Sequence, residues 1–215
     1  MPTKERMDRV KRVLSNRFID IRVVLEEVRN PHNASAVART CDAAGVQYLD
    51  VISADNEPFP VNEAVSTRAH KWLEFSTHTS TSACILGLRE KGFTVYATYL
   101  GEGAIPYSQP DYSGPSAFVF GNEAAGISDE ARDLADVCIQ IPMLGMTRSL
   151  NLSVSVGIIL YEVVRQRRGD AEYRGAPLSA DEFKRYFSRW VDPEHNKSQQ
   201  NIKRDKKKGE SADSP

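Results

Sequence analysis

Short apolar runs alternate with helical spacings along most of the chain. IRVVLEEV (21–28), VQYLDVI (46–52), FTVYATYL (93–100), SAFVFG (116–121) and VCIQIPM (137–143) have the length and the β-branched or aromatic content of buried strands. Between them, Ser35–Ala44, Ser80–Lys91, Asp129–Leu134 and Leu150–Arg167 place apolar residues at helical intervals. Strand and helix in alternation predict βαβ units, so the fold class is α/β with a mostly parallel sheet flanked by helices. The segment Gly101–Gly114 holds two prolines and three glycines after a strand end, where open parallel sheets seat their ligands. Ahead of the first strand, Met7, Val10, Leu14 and Phe18 form an apolar stripe among basic residues and predict an amphipathic helix over 4–18. Ser179 and Glu182 have the spacing of a capping box that opens a later helix carrying Phe183, Tyr186, Phe187 and Trp190. The pattern divides the chain into a basic helical extension (1–19), an α/β core (20–168), a C-terminal helical extension (169–191) and a disordered basic tail (192–215).

Composition narrows the class further. Of 215 residues 40% are hydrophobic and 27% charged, as in globular domains. No apolar run is long enough for a membrane span and the N-terminus is charged rather than signal-like, so a cytoplasmic location is expected with no membrane partner. Cys41, Cys84 and Cys138 are far apart, and His32, His70, His78 and His195 are scattered; this spacing predicts buried thiols and no metal site. The net charge of −1 conceals an uneven distribution: residues 1–29 carry +3, residues 165–215 carry +4 and the middle carries −8. Cationic ends on an acidic body suit a polyanion such as RNA, whose bound counterions are released on contact. The plainer reading is that charged terminal helices serve solubility.

Three segments are unusual for plain scaffolding. In NPHNASAVART (30–40), Asn33 can cap a helix on which Arg39 stands among small and apolar residues, a cation either paired internally or aimed at an anion. In FVFGNEAAGI (118–127), an apolar strand runs into Gly121, Asn122 and Glu123 and closes at Gly126, which lets a ligand approach the backbone beside directed polar groups. In IPMLGMTRSLNLSVSVG (141–157), Pro142 and Gly145 force a loop, after which Ser149, Asn151 and Ser153 punctuate an otherwise apolar helix start. Ser149 alone would pass as an N-cap; three such groups together need partners. No GxGxxG or Walker loop is present, so a Rossmann-type oxidoreductase is disfavoured.

Jointly, the phrases NPHNxSAxxRT, GNExxGI and IPMxGMxxSLNxS resemble the SPOUT superfamily of RNA methyltransferases, and within it the tRNA guanosine-2′-O-methyltransferase family, from roughly Ile21 to Arg167. The resemblance implies a SPOUT core closed by a C-terminal deep trefoil knot. It also implies S-adenosylmethionine as methyl donor, tRNA as substrate and a homodimer formed through the knot region, with no metal required. Mapped by motif, the donor site would comprise Thr98, Leu100, Gly101, Gly121, Asn122, Gly126, Ile141, Met143, Gly145 and Leu150. Arg39 would be the catalytic residue, with Asn33 and Ser149 orienting the ribose and Glu123 and Asn151 ordering the site. Because a guanidinium keeps its proton, stabilising the developing alkoxide and a phosphate fits Arg39 better than proton abstraction. Arg12, Arg148, Arg165 and Arg168 would meet RNA. The implied reaction is 2′-O-methylation of guanosine 18 in the D-loop; the alternatives are another tRNA or rRNA nucleotide, or a non-catalytic RNA-binding protein of the same fold.

Overall fold

The computed structural model describes residues 2–55, 59, 69–169 and 178–192. In chain order these form α1 (Lys4–Leu14), β1 (Phe18–Glu26), α2 (Pro31–Ala44), β2 (Val46–Ile52), a 3₁₀ turn (Ala69–Trp72) and β3 (Glu74–His78). There follow α3 (Thr81–Glu90), β4 (Thr94–Thr98), β5 (Ile105–Pro106), β6 (Ser116–Phe120), α4 (Asp129–Leu134), β7 (Val137–Gln140), α5 (Leu152–Gly169) and α6 (Ala180–Val191). The tail expected over 192–215 lies, beyond Asp192, outside the described residues, as do residues 170–177 of the expected C-terminal extension. Among the described residues no helix is long and apolar enough to cross a membrane.

The chain divides into two compact units, residues 18–176 and residues 1–17 with 177–215. In the larger unit seven strands form one sheet in the order β3-β2-β1-β6-β4-β7-β5, with every neighbouring pair parallel. Parallel strands need helical crossovers, and the crossovers cover both faces, which is why the strands are apolar almost throughout. Alternation along β1 shows the division. Val23 and Leu25 join the cluster beneath α2 and α5 with Val37, Cys41, Val156 and Ile159, whereas Val24 joins Cys84, Ile85 and Leu88 of α3 on the other face. All strand C-termini therefore point to one edge, the edge from which the three unusual segments depart.

Among the buried charged groups of this unit, one guanidinium is fully enclosed. Arg167, near the end of α5, is 1% exposed. Its Nε donates to the Tyr112 carbonyl at 2.9 Å, its Nη2 to the Gly114 carbonyl at 2.7 Å and its Nη1 to Asp20 Oδ1 at 2.7 Å. The guanidinium thus ties α5 to β1 and to the loop before β6.

The smaller unit pairs α1 with α6. Val10 and Leu14 are buried on α1, Tyr186 and Trp190 on α6, and Arg6 Nη2 donates to the Trp190 carbonyl at 2.9 Å. The capping box at α6 forms as the spacing implies, with the Ser179 side chain accepting from the Glu182 amide and the Glu182 carboxylate accepting from the Ser179 amide. The first helix ends at Leu14 and not at 18. Ser15 caps it, and Phe18 already belongs to β1, donating its amide to the Gly45 carbonyl at 2.8 Å. A helical stripe and a strand start share an apolar residue at that boundary, and periodicity alone assigned it to the helix.

Candidate active site

The helix of the first segment starts earlier than its apolar spacing suggests. Asn30 is the cap, its side chain accepting from the His32 amide at 2.9 Å, and Pro31 takes the first helical position where its missing N–H costs nothing. Asn33 is therefore not the cap, which frees its amide for other work. Its Nδ2 donates to Glu123 Oε1 at 2.8 Å, and its Oδ1 accepts from Asn151 Nδ2 at 3.0 Å. The three unusual segments meet through these two bonds.

Each partner is fixed in turn. Asn151 is the start clamp of α5: its Oδ1 accepts from the Ser153 amide at 2.9 Å and hydroxyl at 2.7 Å, and its carbonyl accepts from the amides of Val154 and Ser155. The capping role that Ser149 might have filled thus falls to Asn151, and Ser149 is exposed. Glu123 sits on a tight loop in which the Asn122 side chain accepts from the amides of Ala124 and Ala125, and the Gly126 amide donates back to the Asn122 carbonyl at 2.8 Å. A Cβ on Gly121 would collide with the backbone of Gly126 and Ile127, so only glycine permits this fold-back, and Gly126 itself lies at φ 73°.

An open cleft of about 710 Å³ is lined by Leu100 and Gly101 from the end of β4, Gln140 and Ile141 from the end of β7, and Met143, Gly145, Met146, Thr147 and Arg148 of the third segment. Its volume is that of a small-molecule or cofactor site, roughly 300–1,000 Å³. Its walls mix apolar side chains (Leu100, Ile141, Met143, Met146) with polar ones (Gln140, Thr147, Arg148) and bare backbone at Gly101 and Gly145. Of the donor-site residues expected from the motifs, Leu100, Gly101, Ile141, Met143 and Gly145 border this cleft, as does Arg148. Thr98, Gly121, Asn122, Gly126 and Leu150 do not. The Thr98 hydroxyl instead donates to the Val119 carbonyl at 3.0 Å, tying β4 to β6. Gln140, Met146 and Thr147 line the cleft without having been singled out; Met146 and Thr147 stood inside the quoted motif, and Gln140 is simply the last strand residue before it.

Arg39 is exposed on α2, and among the described residues its side chain makes no hydrogen bond or ion pair. An unpaired guanidinium on a helix of small side chains is available to an external anion. Arg165, by contrast, is held by Glu162 at 2.7 Å, whereas Arg12 and Arg168 are exposed on α1 and α5.

One further cluster unites residues that spacing kept apart. Asp50, His78 and Cys84 bring their ligand-type atoms within 4.8 Å of one another. The charge of Asp50 is already answered, since its Oδ2 lies 3.1 Å from Arg22 Nη1 and its Oδ1 lies 2.8 Å from His78 Nε2. Burial, reinforced by the Asp50 charge, pushes the Cys84 thiol up to about 12, so it stays protonated. The cluster is accordingly the Arg22–Asp50 ion pair with His78 hydrogen-bonded to it and a neutral thiol at its side.

Residues 20–161 match the SpoU rRNA Methylase family. A protein named tRNA (guanosine(18)-2′-O)-methyltransferase from Thermus thermophilus is 41% identical over 189 residues, 88% of this chain and 97% of its own. The crystal structure of the TrmH/SpoU tRNA-modifying enzyme of A. aeolicus superposes with a TM-score of 0.81 at 38% identity, covering 87% of this chain and 95% of that one. An rRNA methyltransferase from Sinorhizobium meliloti, solved with AdoMet bound, superposes with a TM-score of 0.62 at 31% identity over 73% of this chain and 59% of its own.

Proposed function

The chain belongs to the SpoU rRNA Methylase family, and on that premise we propose that it is an S-adenosylmethionine-dependent tRNA methyltransferase acting on the ribose 2′-hydroxyl of guanosine 18. The observation that carries the reading is the continuous Glu123–Asn33–Asn151 chain, which joins all three motif segments, the last of which lines the cleft with Ile141, Met143, Gly145 and Arg148. The choice of tRNA is supported by the relatives of that name, which match along nearly the whole of both chains. Work on tRNA also suits a cytoplasmic location.

When bound, S-adenosylmethionine supplies a methyl group activated by a sulfonium. Leu100, Gly101, Ile141, Met143 and Gly145 would hold it in the cleft, with Thr98, Gly121, Asn122, Gly126 and Leu150 shaping the strand ends and loops around it. Arg39 would neutralise the developing alkoxide on the ribose oxygen and a neighbouring phosphate. Asn33 and Ser149 would orient the sugar, while Glu123 and Asn151 hold the Asn33 amide in one orientation. Arg148 at the cleft rim, with Arg12, Arg165 and Arg168, would follow the RNA backbone. The C-terminal trefoil knot that marks the superfamily would be threaded by the segment that leads into α5.

The decisive experiment is transfer of a labelled methyl group to unmodified tRNA followed by mapping of the product nucleotide. Label at guanosine 18 supports the reading; label elsewhere moves the substrate to the alternative nucleotides, and none with intact protein and donor leaves a binding protein. A narrower test uses Asn33→Asp, which sets a second carboxylate against Glu123. The expected loss in kcat is about 10- to 100-fold, the worth of a hydrogen bond to a charged group, and the deficit narrows as pH falls because a protonated carboxyl can donate again. Equal activity at all pH values would remove Asn33 from the site.

A homodimer completes the proposal. Leu144 is 99% and Met146 100% exposed, and Val154 and Tyr161 add apolar surface on α5. Large apolar side chains wholly in water on the loop after β7 ask for a cover, and a second copy of the chain would supply one. Arg39 would then work beside the partner protomer's donor. Sedimentation should give twice the chain mass, falling to one for Leu144→Asp with Met146→Asp; a monomeric wild type would end the assignment.

A further inference from the structure

Glu27 is the non-glycine residue that the described backbone holds in the left-handed region, at φ 51°. It stands where β1 ends, at the edge of the sheet that carries the site. Its amide donates to the Ile52 carbonyl at 3.0 Å and its Oε1 accepts from the Ala54 amide at 2.7 Å, so both ends of the residue are tied to the exit of β2. Its carbonyl points the other way and accepts from Asn122 Nδ2 at 2.9 Å. The Asn122 Oδ1 meanwhile closes the turn over Ala124 and Ala125 that presents Glu123 to Asn33. The neighbouring Glu26 secures the far end of the same loop, accepting from the Ser128 amide at 2.8 Å and hydroxyl at 2.7 Å.

We infer that Glu27 is a positioning residue for methyl transfer, acting through its left-handed backbone, which aims its carbonyl at Asn122 and so sets the orientation of Glu123. The inference rests on the methyltransferase reading of the Glu123–Asn33–Asn151 chain and adds a member that no motif contains. Strain held at a functional loop is tolerated where the surroundings over-determine it, and here two backbone hydrogen bonds from one residue to two separate segments do so. Side-chain chemistry is secondary: the carboxylate faces Ala54 and Arg29, away from the loop.

The test compares Glu27→Gly, Glu27→Gln and Glu27→Val in the full-length protein. Glycine enters the left-handed region freely and glutamine keeps the backbone preference of glutamate, so both should retain kcat within about twofold; a β-branched valine resists that region, and its kcat should fall about tenfold. Affinity for tRNA, measured by direct binding, should stay the same in all three, which a general loss of fold would not allow. Asn122→Asp removes the Nδ2 donor but keeps the turn-closing oxygen. It should lose as much as Glu27→Val, and the double variant should lose no more than either single one, since both break the same link. Full activity of Glu27→Val, a loss in Glu27→Gln, or additive losses would each overturn the assignment. An inactive wild type would instead overturn the methyltransferase reading beneath it.

Discussion

Arg39→Ala is expected to lower kcat for methyl transfer by about 10²–10³-fold, the scale on which a single preorganised donor to a developing oxyanion contributes. Stability and donor binding should hardly change, because the side chain is exposed and makes no hydrogen bond or ion pair among the described residues. Its neighbours on α2, buried Ala38 and Val37, pack independently of it. Arg39→Lys should recover little, since an ammonium keeps the charge but not the planar fork that can hold a ribose oxygen and a phosphate together. The comparison separates charge from geometry. Near-normal kcat in Arg39→Ala, in protein shown to be folded, would remove Arg39 from the chemistry.

Arg167→Ala should cost about 3–5 kcal/mol of stability, the usual penalty for breaking a buried charge pair by removing one partner. The Asp20 carboxylate would lose its 2.7 Å ion pair, and the carbonyls of Tyr112 and Gly114 would lose a donor each. Urea unfolding would show this as a fall in midpoint at unchanged slope. A drop below about 1 kcal/mol would mean that water or a neighbour replaces the guanidinium at once. Within five residues of one helix, then, arginines have opposite fates: Arg167 is a structural rivet, while Arg168 stays exposed and suited to RNA.

How far the chain could be read in advance varied with the kind of signal. Strands buried on both faces were legible as apolar runs, and β2 follows its run residue for residue. The edge strands were not. In β3 four of the five residues, Glu74, Ser76, Thr77 and His78, are polar, and β5 spans only two residues, so neither yields a hydrophobic period. At the site, motif order pointed to Asn33, Glu123 and Asn151, which the fold brings into hydrogen-bond contact. Asn33 is not the cap because the Asn-Pro pair at 30–31 is the stronger helix start, three residues ahead of the apolar spacing. Glu27 was invisible for a deeper reason: its contribution lies in a backbone angle, and glutamate carries no mark of the left-handed region as glycine does. The proximity of Asp50, His78 and Cys84 is likewise a product of strand order, which spacing along the chain does not encode.

The bonds that assemble the site also set when it can exist. Asn33 lies 90 residues from Glu123 and 118 from Asn151, so its two amide contacts close long loops of the core. Such contacts form late, because their ordering entropy is met only after the sheet has condensed. During synthesis, a ribosome must release nearly the entire core before the last clamp can close. A chain cut short between β7 and Asn151 would therefore keep all seven strands yet lack the clamp that orders the proposed centre.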